Sequence, residues 1–89
     1  MLIDFDTVKD DANRLKHGVS LSLAAELEWD TLQSMADTRR NYGEARMVGY
    51  VIAGSRLYCV VYVDRNPVRR IISLRKANTR EVIRYVENS

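Results

Sequence analysis

Residues 45–74, ARMVGYVIAGSRLYCVVYVDRNPVRRIISL, decide the fold of this 89-residue chain. The stretch holds three segments rich in β-branched and aromatic residues: ARMVGYVIA, YCVVYV and VRRIISL. The turn signals AGS and DRNP separate them, which is typical of strands joined by tight turns. The pattern predicts a three-stranded antiparallel meander, with a fourth strand-like segment before it at residues 36–42.

Helical spacing replaces this alternation on the N-terminal side of the meander. After a predicted first strand at residues 2–5, LIDF, Asp6 is placed to cap a helix over residues 7–17. Gly18 can close that helix in the left-handed conformation. A second short helix is predicted over residues 20–27, with its serine as the cap.

The C-terminal segment TREVIRYVE, residues 79–87, predicts a last helix with Thr79 as its cap. We expect Val82, Ile83 and Val86 to pack on the sheet, because partners three and four residues apart share a helix face. The predicted order is β-α-α-β-β-β-α. This order defines an α+β domain with helices packed on an antiparallel sheet.

Length and composition limit the class of protein. With 89 residues, 46% of them apolar, the chain is expected to form a single domain over residues 1–89. No apolar run approaches the roughly 20 residues that span a bilayer. The N-terminus is acidic and does not resemble a secretion signal, and Cys59 is alone and has no partner for an internal disulfide. These features predict a cytoplasmic protein without a membrane partner.

The charges of the two halves differ in sign. Residues 1–38 carry eight acids and three bases, whereas residues 39–89 carry ten arginines and one lysine against four acids. A surplus of arginine suits bidentate binding of phosphate. Arginines also solvate the edges of strands, so composition alone favours neither interpretation.

Metal and thiol chemistry lack their sequence signatures. One histidine and one cysteine do not make a zinc ligand set, and the chain has no glycine-rich phosphate loop and no nucleophile elbow. Cys59 alternates with apolar residues inside a predicted strand, so we expect it to be a small buried side chain. No metal and no cofactor are expected.

The stretch RIISLRKANTRE, residues 70–81, brings cations to the end of a strand that should bury itself. Arginines aimed at a phosphorane and a histidine that transfers protons are sufficient for metal-independent RNA cleavage. Each residue has a simpler interpretation, since Arg75 and Lys76 can flank a strand end and His17 can complement a helix dipole. These residues alone predict a basic α+β domain that binds RNA.

Three tyrosines can be interpreted in two ways. Tyr50, Tyr58 and Tyr62 are compatible with an aromatic patch that stacks bases. Such residues are more often half-buried cross-strand partners, so no site is assigned to them.

Three blocks in fixed order carry a family resemblance. KHGVS at residues 16–20, YGEAR at 42–46 and RIISLRKANTRE at 70–81, followed by Tyr85, resemble the BrnT family. The resemblance implies a RelE-like fold and a ribonuclease toxin of a type II toxin–antitoxin module that inhibits translation. It also implies a BrnA-like antitoxin with a ribbon-helix-helix domain. Operator DNA would be bound only through the toxin–antitoxin complex, which would repress its own operon.

The resemblance also implies roles for particular residues. Arg75 would be the main phosphorane stabiliser, Arg46 a second one, and His17 the proton-transfer group. Flanking phosphates would be bound by Lys16, Arg70 and Lys76. Related toxins use lysine and tyrosine instead of histidine, so Lys16 or Tyr42 is the alternative to His17.

Two other functions stay open. The chain is alternatively an inactive module that still binds its antitoxin, or a free-standing nucleic-acid binder without an antitoxin. A short ribbon-helix-helix reading frame directly downstream would exclude the free-standing binder. An RNA-cleavage assay would separate the active toxin from the inactive one.

Overall fold

Five strands and three helices make up the chain in the computed structural model, which describes residues 1–89. The strands are β1 (Leu2–Phe5), β2 (Glu28–Ala36), β3 (Arg46–Ala53), β4 (Arg56–Arg65) and β5 (Val68–Lys76). The helices are α1 (Thr7–His17), a short 3₁₀ helix (Leu21–Glu26) and α2 (Thr79–Glu87). One sheet has the strand order β1-β5-β4-β3-β2, and all neighbours are antiparallel except β1 and β5, which are parallel. The predicted α+β class is confirmed.

The predicted meander is confirmed as β3, β4 and β5, but the strand before it lies elsewhere. The prediction of a strand-like segment at 36–42 is wrong, because β2 ends at Ala36 and residues 37–45 form a loop. The β2 sequence lacks the regular alternation of a strand, because the register of β2 against β3 shifts between Glu28 and Gln33. Gly49 on β3 allows this irregular strand to approach closely, because a Cβ there would lie 2.6 Å from Leu32 Cδ1.

Local capping rules hold at the N-terminal helices. Asp6 accepts the Val8 amide at 2.8 Å, and Gly18 ends α1 in the left-handed region with φ 69°. Ser20 caps the second helix, which is 3₁₀ rather than α-helical. The prediction of Thr79 as the cap of α2 is wrong. Asn78 caps it instead in a capping box, with its side chain accepting the Glu81 amide at 2.9 Å.

The sheet has two different faces. The 3₁₀ helix packs on one of them, which we call the core face, and Leu21, Val60, Ile71 and Leu74 are almost completely buried there. The opposite face, called the open face, carries alternate residues of the same strands.

A bulge in β5 sets which side chains reach the open face. Val61 pairs with Ser73 and Tyr62 pairs with Ile71, so Ile72 has no cross-strand partner. An extra residue of this kind shifts the alternation of a strand by one. Ile71 and Leu74 therefore both face the core, although they are three residues apart.

Asn13 joins α1 to the part of β5 that β1 leaves unpaired. Its amide donates to the carbonyls of Leu74 at 2.8 Å and Val19 at 2.7 Å, and its carbonyl accepts the Leu74 amide at 3.2 Å. The buried side chain thus replaces a neighbouring strand at that edge. This contact fixes the end of α1, with Lys16 and His17, beside β5.

The last helix contacts the sheet through polar side chains. Tyr85 donates from its hydroxyl to the Thr31 carbonyl, and Glu81 reaches across to β5. The predicted packing of α2 through its aliphatic residues is wrong, since Val82, Ile83 and Val86 are 39%, 55% and 64% exposed. No helix in the structure is long and apolar enough to span a membrane.

Candidate active site

A cleft of about 630 Å³ lies on the open face of the sheet. Its floor includes Cys59, Ser73 and Arg75. Three segments surround it: the end of α1, the loop that follows β2, and the first turn of α2. The cleft therefore collects polar groups from parts of the chain that are distant in sequence.

Arg75 lies on the cleft floor opposite Cys59 of β4. Its terminal nitrogens Nη1 and Nη2 donate to the two carboxylate oxygens of Glu81 at 2.8 and 2.9 Å. These hydrogen bonds to Glu81 raise the pKa of the guanidinium further above its ordinary value. Arg75 is thus a permanent cation with a fixed orientation, which is a requirement for stabilising charge in a transition state.

Glu81 connects three elements of the structure. Besides Arg75, it accepts the Tyr50 hydroxyl at 2.9 Å and the backbone amide of Asn78 at 2.9 Å. The hydrogen bonds from Arg75 lower its pKa to about 2, which keeps it ionised. Sequence reasoning missed Glu81 and Tyr50 as site residues. The N3 position of Glu81 in a capping box was the available signal for its helix role, but nothing local predicts its contact with Arg75.

Tyr50 keeps its proton over the physiological range. Burial, followed by its hydrogen bond to Glu81, raises the pKa of its hydroxyl to about 12. Because that single proton is donated to Glu81, Tyr50 serves the network as a fixed donor. Its structural role is to bind the Glu81 carboxylate of α2 from strand β3.

His17 is half-buried at the end of α1, on the wall of the cleft. Burial lowers the pKa of its imidazole, and the nearby cations Lys16 and Arg75 lower it further. The imidazole is therefore neutral near pH 7, so it has no charge with which to complement the helix dipole at that pH. A neutral imidazole is able to accept a proton from a substrate hydroxyl.

The other predicted site residues lie in three places: Lys16 on the cleft wall, Arg46 and Arg70 further along the open face, and Lys76 on the core-face side. Lys16 is exposed on the cleft wall beside His17. Arg46 and Arg70 share the open face with Arg75, but both flank Val63 in the register rather than Cys59.

Val63 and Cys59 are four residues apart on β4, which places their cross-strand partners about 13 Å apart along the strands. Lys76 pairs with Tyr58 and so lies on the core-face side, behind Arg75. The structure therefore brings Lys16, His17 and Arg75 together and leaves Arg46, Arg70 and Lys76 outside the cleft.

Arg46 and Arg70 have protein partners of their own. The guanidinium of Arg46 lies 3.9 Å from the centre of the Tyr42 ring, and its Nε is buried without a hydrogen-bond partner. Arg70 forms ion pairs with Asp4 and Asp6. Each of them is therefore already partly neutralised or stacked.

The loop after β2 forms a compact polar wall. Arg39 donates to both carboxylate oxygens of Asp37, at 2.9 and 2.8 Å, and the Tyr42 hydroxyl donates to the same carboxylate at 3.2 Å. The Arg39 hydrogen bonds hold the pKa of Asp37 well below its usual range. Tyr42, the alternative proton-transfer group, therefore donates its proton within this loop.

Cys59 is 4% exposed, and burial raises the pKa of its thiol, so its predicted role as a small buried side chain is confirmed. The three tyrosines do not form one patch. Tyr50 lies in the cleft network, whereas Tyr62 is buried in the core and Tyr58 packs against it. No group of three or more His, Cys, Asp or Glu side chains is arranged to hold a metal ion.

A small α+β fold whose cleft holds an oriented arginine and a neutral histidine defines a class of protein suited to binding and cleaving a phosphodiester. A comparison with protein families agrees with this class. Residues 5–81 match the family described as ribonuclease toxin, BrnT, of type II toxin–antitoxin system. The chain belongs to this family, which implies ribonuclease activity and an antitoxin partner. A search of curated proteins gave no match.

Proposed function

We propose that this chain is an endoribonuclease that cleaves RNA in the cytoplasm without a metal ion and thereby inhibits translation. The single observation that supports the proposal best is that one cleft is lined by Arg75, which Glu81 fixes, and by the neutral imidazole of His17. A cation and a proton acceptor are the two groups that this reaction needs.

The proposed reaction is the attack of a ribose 2′-oxygen on the neighbouring phosphorus. His17 takes the proton from the 2′-hydroxyl as the new O–P bond forms. Arg75 stabilises the negative charge that develops on the phosphorane oxygens. The bond from phosphorus to the 5′-oxygen then breaks, and the His17 imidazolium gives its proton to that oxygen. The products are a 2′,3′-cyclic phosphate and a free 5′-hydroxyl.

Neighbouring cations favour the second proton transfer. Burial lowers the pKa of His17, and Lys16 and Arg75 lower it further, so its imidazolium is a stronger acid than an unperturbed one. We assign Lys16 to a phosphate next to the reacting one, since it is exposed on the same wall of the cleft. Arg46 and Arg70 are assigned to phosphates further along the strand, because their register places them away from Arg75. Lys76, on the other side of the sheet, is left to bind RNA only outside the cleft.

Expression of the chain alone tests the proposal in cells. Growth and translation should stop, and the cognate antitoxin should restore both. In vitro, the purified protein should cleave RNA in the presence of EDTA and leave 2′,3′-cyclic phosphate ends, whereas a DNA oligonucleotide of the same sequence should stay intact. Folded protein that leaves RNA uncut would support the alternative of an inactive antitoxin-binding module.

The antitoxin is proposed to be a ribbon-helix-helix protein whose complex with this chain represses their common operon. Exposed apolar side chains on α2, namely Val82, Ile83 and Val86, offer a surface for it. Beside this surface lie three arginines that form no ion pair, Arg56, Arg80 and Arg84. Because these cations are free to pair with a partner, an acidic amphipathic segment of the antitoxin fits the surface best.

A further inference from the structure

Arginine and carboxylate side chains form four bidentate pairs in this protein: Arg39–Asp37, Arg65–Glu44, Arg69–Asp64 and Arg75–Glu81. In the first three, the arginine uses its Nε and Nη2 atoms. Only Arg75 uses the two terminal nitrogens, Nη1 and Nη2. The orientation of its guanidinium relative to its partner is therefore different from that of the other three.

Counting donors shows what this orientation leaves free. A guanidinium has five N–H groups. In Arg75, Nη1 donates to Glu81 and to the Lys76 carbonyl at 3.3 Å, and Nη2 donates one hydrogen to Glu81. The hydrogens that have no protein partner are the one on Nε and the second one on Nη2. Solvent reaches the Nε atom of Arg75, since Arg46 Nε is the only buried side-chain nitrogen or oxygen without a partner.

The free Nε–Nη2 edge has the geometry of a phosphate-binding fork. Two parallel N–H groups on one edge of the guanidinium bind two oxygens of a phosphate or carboxylate at once. In the other three pairs a carboxylate occupies this edge. In Arg75 no carboxylate occupies this edge, and the residue lines the cleft that His17 and Lys16 also line.

We propose that Glu81 is a positioning residue, which holds Arg75 by its terminal nitrogens so that the Nε–Nη2 edge binds the reacting phosphate. This inference rests on the proposed ribonuclease function, and it adds that Glu81 sets the orientation of Arg75 toward the phosphate. Glu81 itself does not touch RNA. Tyr50 and the Asn78 amide hold the carboxylate from two further directions, so that it does not follow the arginine toward substrate.

The proposal predicts that removing the Glu81 charge slows RNA cleavage, whereas charge alone predicts that it speeds cleavage. Removing a negative charge from the cleft should by itself strengthen RNA binding and favour a dianionic phosphorane. If Glu81 aims Arg75, Glu81→Gln should instead lower kcat for RNA cleavage by about 10- to 100-fold, on the scale of a 1 Å misplacement of a catalytic group. Binding of an uncleavable 2′-deoxy oligonucleotide should be unchanged or tighter.

Two control variants separate aiming from helix stabilisation. Asn78→Ala removes the capping side chain but keeps the backbone amide that donates to Glu81, so it should destabilise α2 and leave kcat unchanged. Glu44→Gln makes the same chemical change in an arginine pair outside the cleft and should also leave kcat unchanged. Equal or faster cleavage by Glu81→Gln would overturn the proposal, and so would an equal loss of kcat in Asn78→Ala.

A measurement on the wild-type protein keeps the test independent of folding and of activity. Adding the 2′-deoxy oligonucleotide to ¹⁵N-labelled protein should shift the Arg75 Nε–H resonance and slow its exchange with water. Saturating oligonucleotide that leaves this resonance unchanged would overturn the inference. Failure of the wild type to cut RNA would count against the proposed function instead, and the resonance would still decide whether Arg75 presents this edge to phosphate.

Discussion

Arg70 and Arg75 face the same side of the sheet although they are five residues apart along one strand. Regular alternation would place them on opposite sides, but Ile72 bulges out of the β4–β5 ladder and shifts the alternation by one. At about 3.3 Å per residue of β4, whose Cys59 and Val63 pair with them, they lie about 13 Å apart, too far to bind one phosphate. The bulge therefore places two well-separated arginines of one strand on the open face.

Arg75→Ala should slow RNA cleavage by about 10²- to 10³-fold, because losing one transition-state donor costs ~2.7–4 kcal/mol. The free energy of unfolding should fall by only about 1 kcal/mol, since Glu81 keeps its hydrogen bonds to Tyr50 and Asn78. Single-turnover cleavage and urea unfolding measure the two effects. Arg65→Ala, which breaks an exposed pair with Glu44, is the matched control and should cleave normally. Full activity of folded Arg75→Ala would remove Arg75 from the site.

His17→Gln should lower RNA cleavage at pH 7.5 by about 10²-fold or more, because glutamine does not transfer protons. Its unfolding at that pH should match the wild type.

The pH dependence of stability provides a second readout for His17. A pKa lowered by folding means that the unfolded state binds more protons, so His17 destabilises the wild type as the pH falls below 6.5. This acid-side loss should be smaller in the variant, measured by thermal unfolding at pH 7.5 and 5.5. Near-normal cleavage would transfer the proton role to Lys16 or Tyr42.

Glu81 should stabilise the fold in a defined pH window. Its pKa is about 2 in the folded protein and 4.5 ordinarily, so its contribution is complete above pH 4.5 and disappears as the pH falls toward 2. The contribution is at most about 3 kcal/mol. Urea unfolding at pH 6 and pH 3 should show a smaller pH difference in Glu81→Gln than in the wild type. An identical difference in both proteins would show that the ion pair with Arg75 contributes no stability.

Asn13→Ala should destabilise the protein by roughly 3 kcal/mol, because it leaves the backbone groups of Leu74 and Val19 buried without their partner. Asn41→Ala, in an exposed loop with one local hydrogen bond, is the matched control and should change stability by less than about 1 kcal/mol. Chemical denaturation measures both. A small effect of Asn13→Ala would mean that α1 is held to β5 by other contacts.

Ile83→Asp should weaken antitoxin binding, because it places a negative charge in the apolar surface proposed for an acidic segment of the antitoxin. Calorimetric titration of the antitoxin into an Arg75→Ala background measures this without toxicity to the host. Leu15→Asp is the control, since Leu15 is 90% exposed on α1 and outside the proposed surface. Equal affinity of both variants would place the antitoxin on another surface.

Local sequence patterns are sufficient to predict the strands of the meander, the first helix with its caps at Asp6 and Gly18, and the cations proposed for the site. Alternation and capping depend on neighbours within about four residues, so they can be deduced from the chain alone. The family blocks around Lys16, His17 and Arg75 are likewise short runs of consecutive residues, and their identification needs no knowledge of which segments meet in space.

Which of those cations lie in one cleft depends on the tertiary structure. The bulge at Ile72 placed Arg75 on the open face and Lys76 behind it, and the register moved Arg46 away from the cleft. Asn13 set His17 beside β5, and Glu81 fixed the orientation of Arg75. These contacts join segments up to 61 residues apart. A one-residue change of register moves a side chain to the other face of a sheet, so local sequence preference does not determine them.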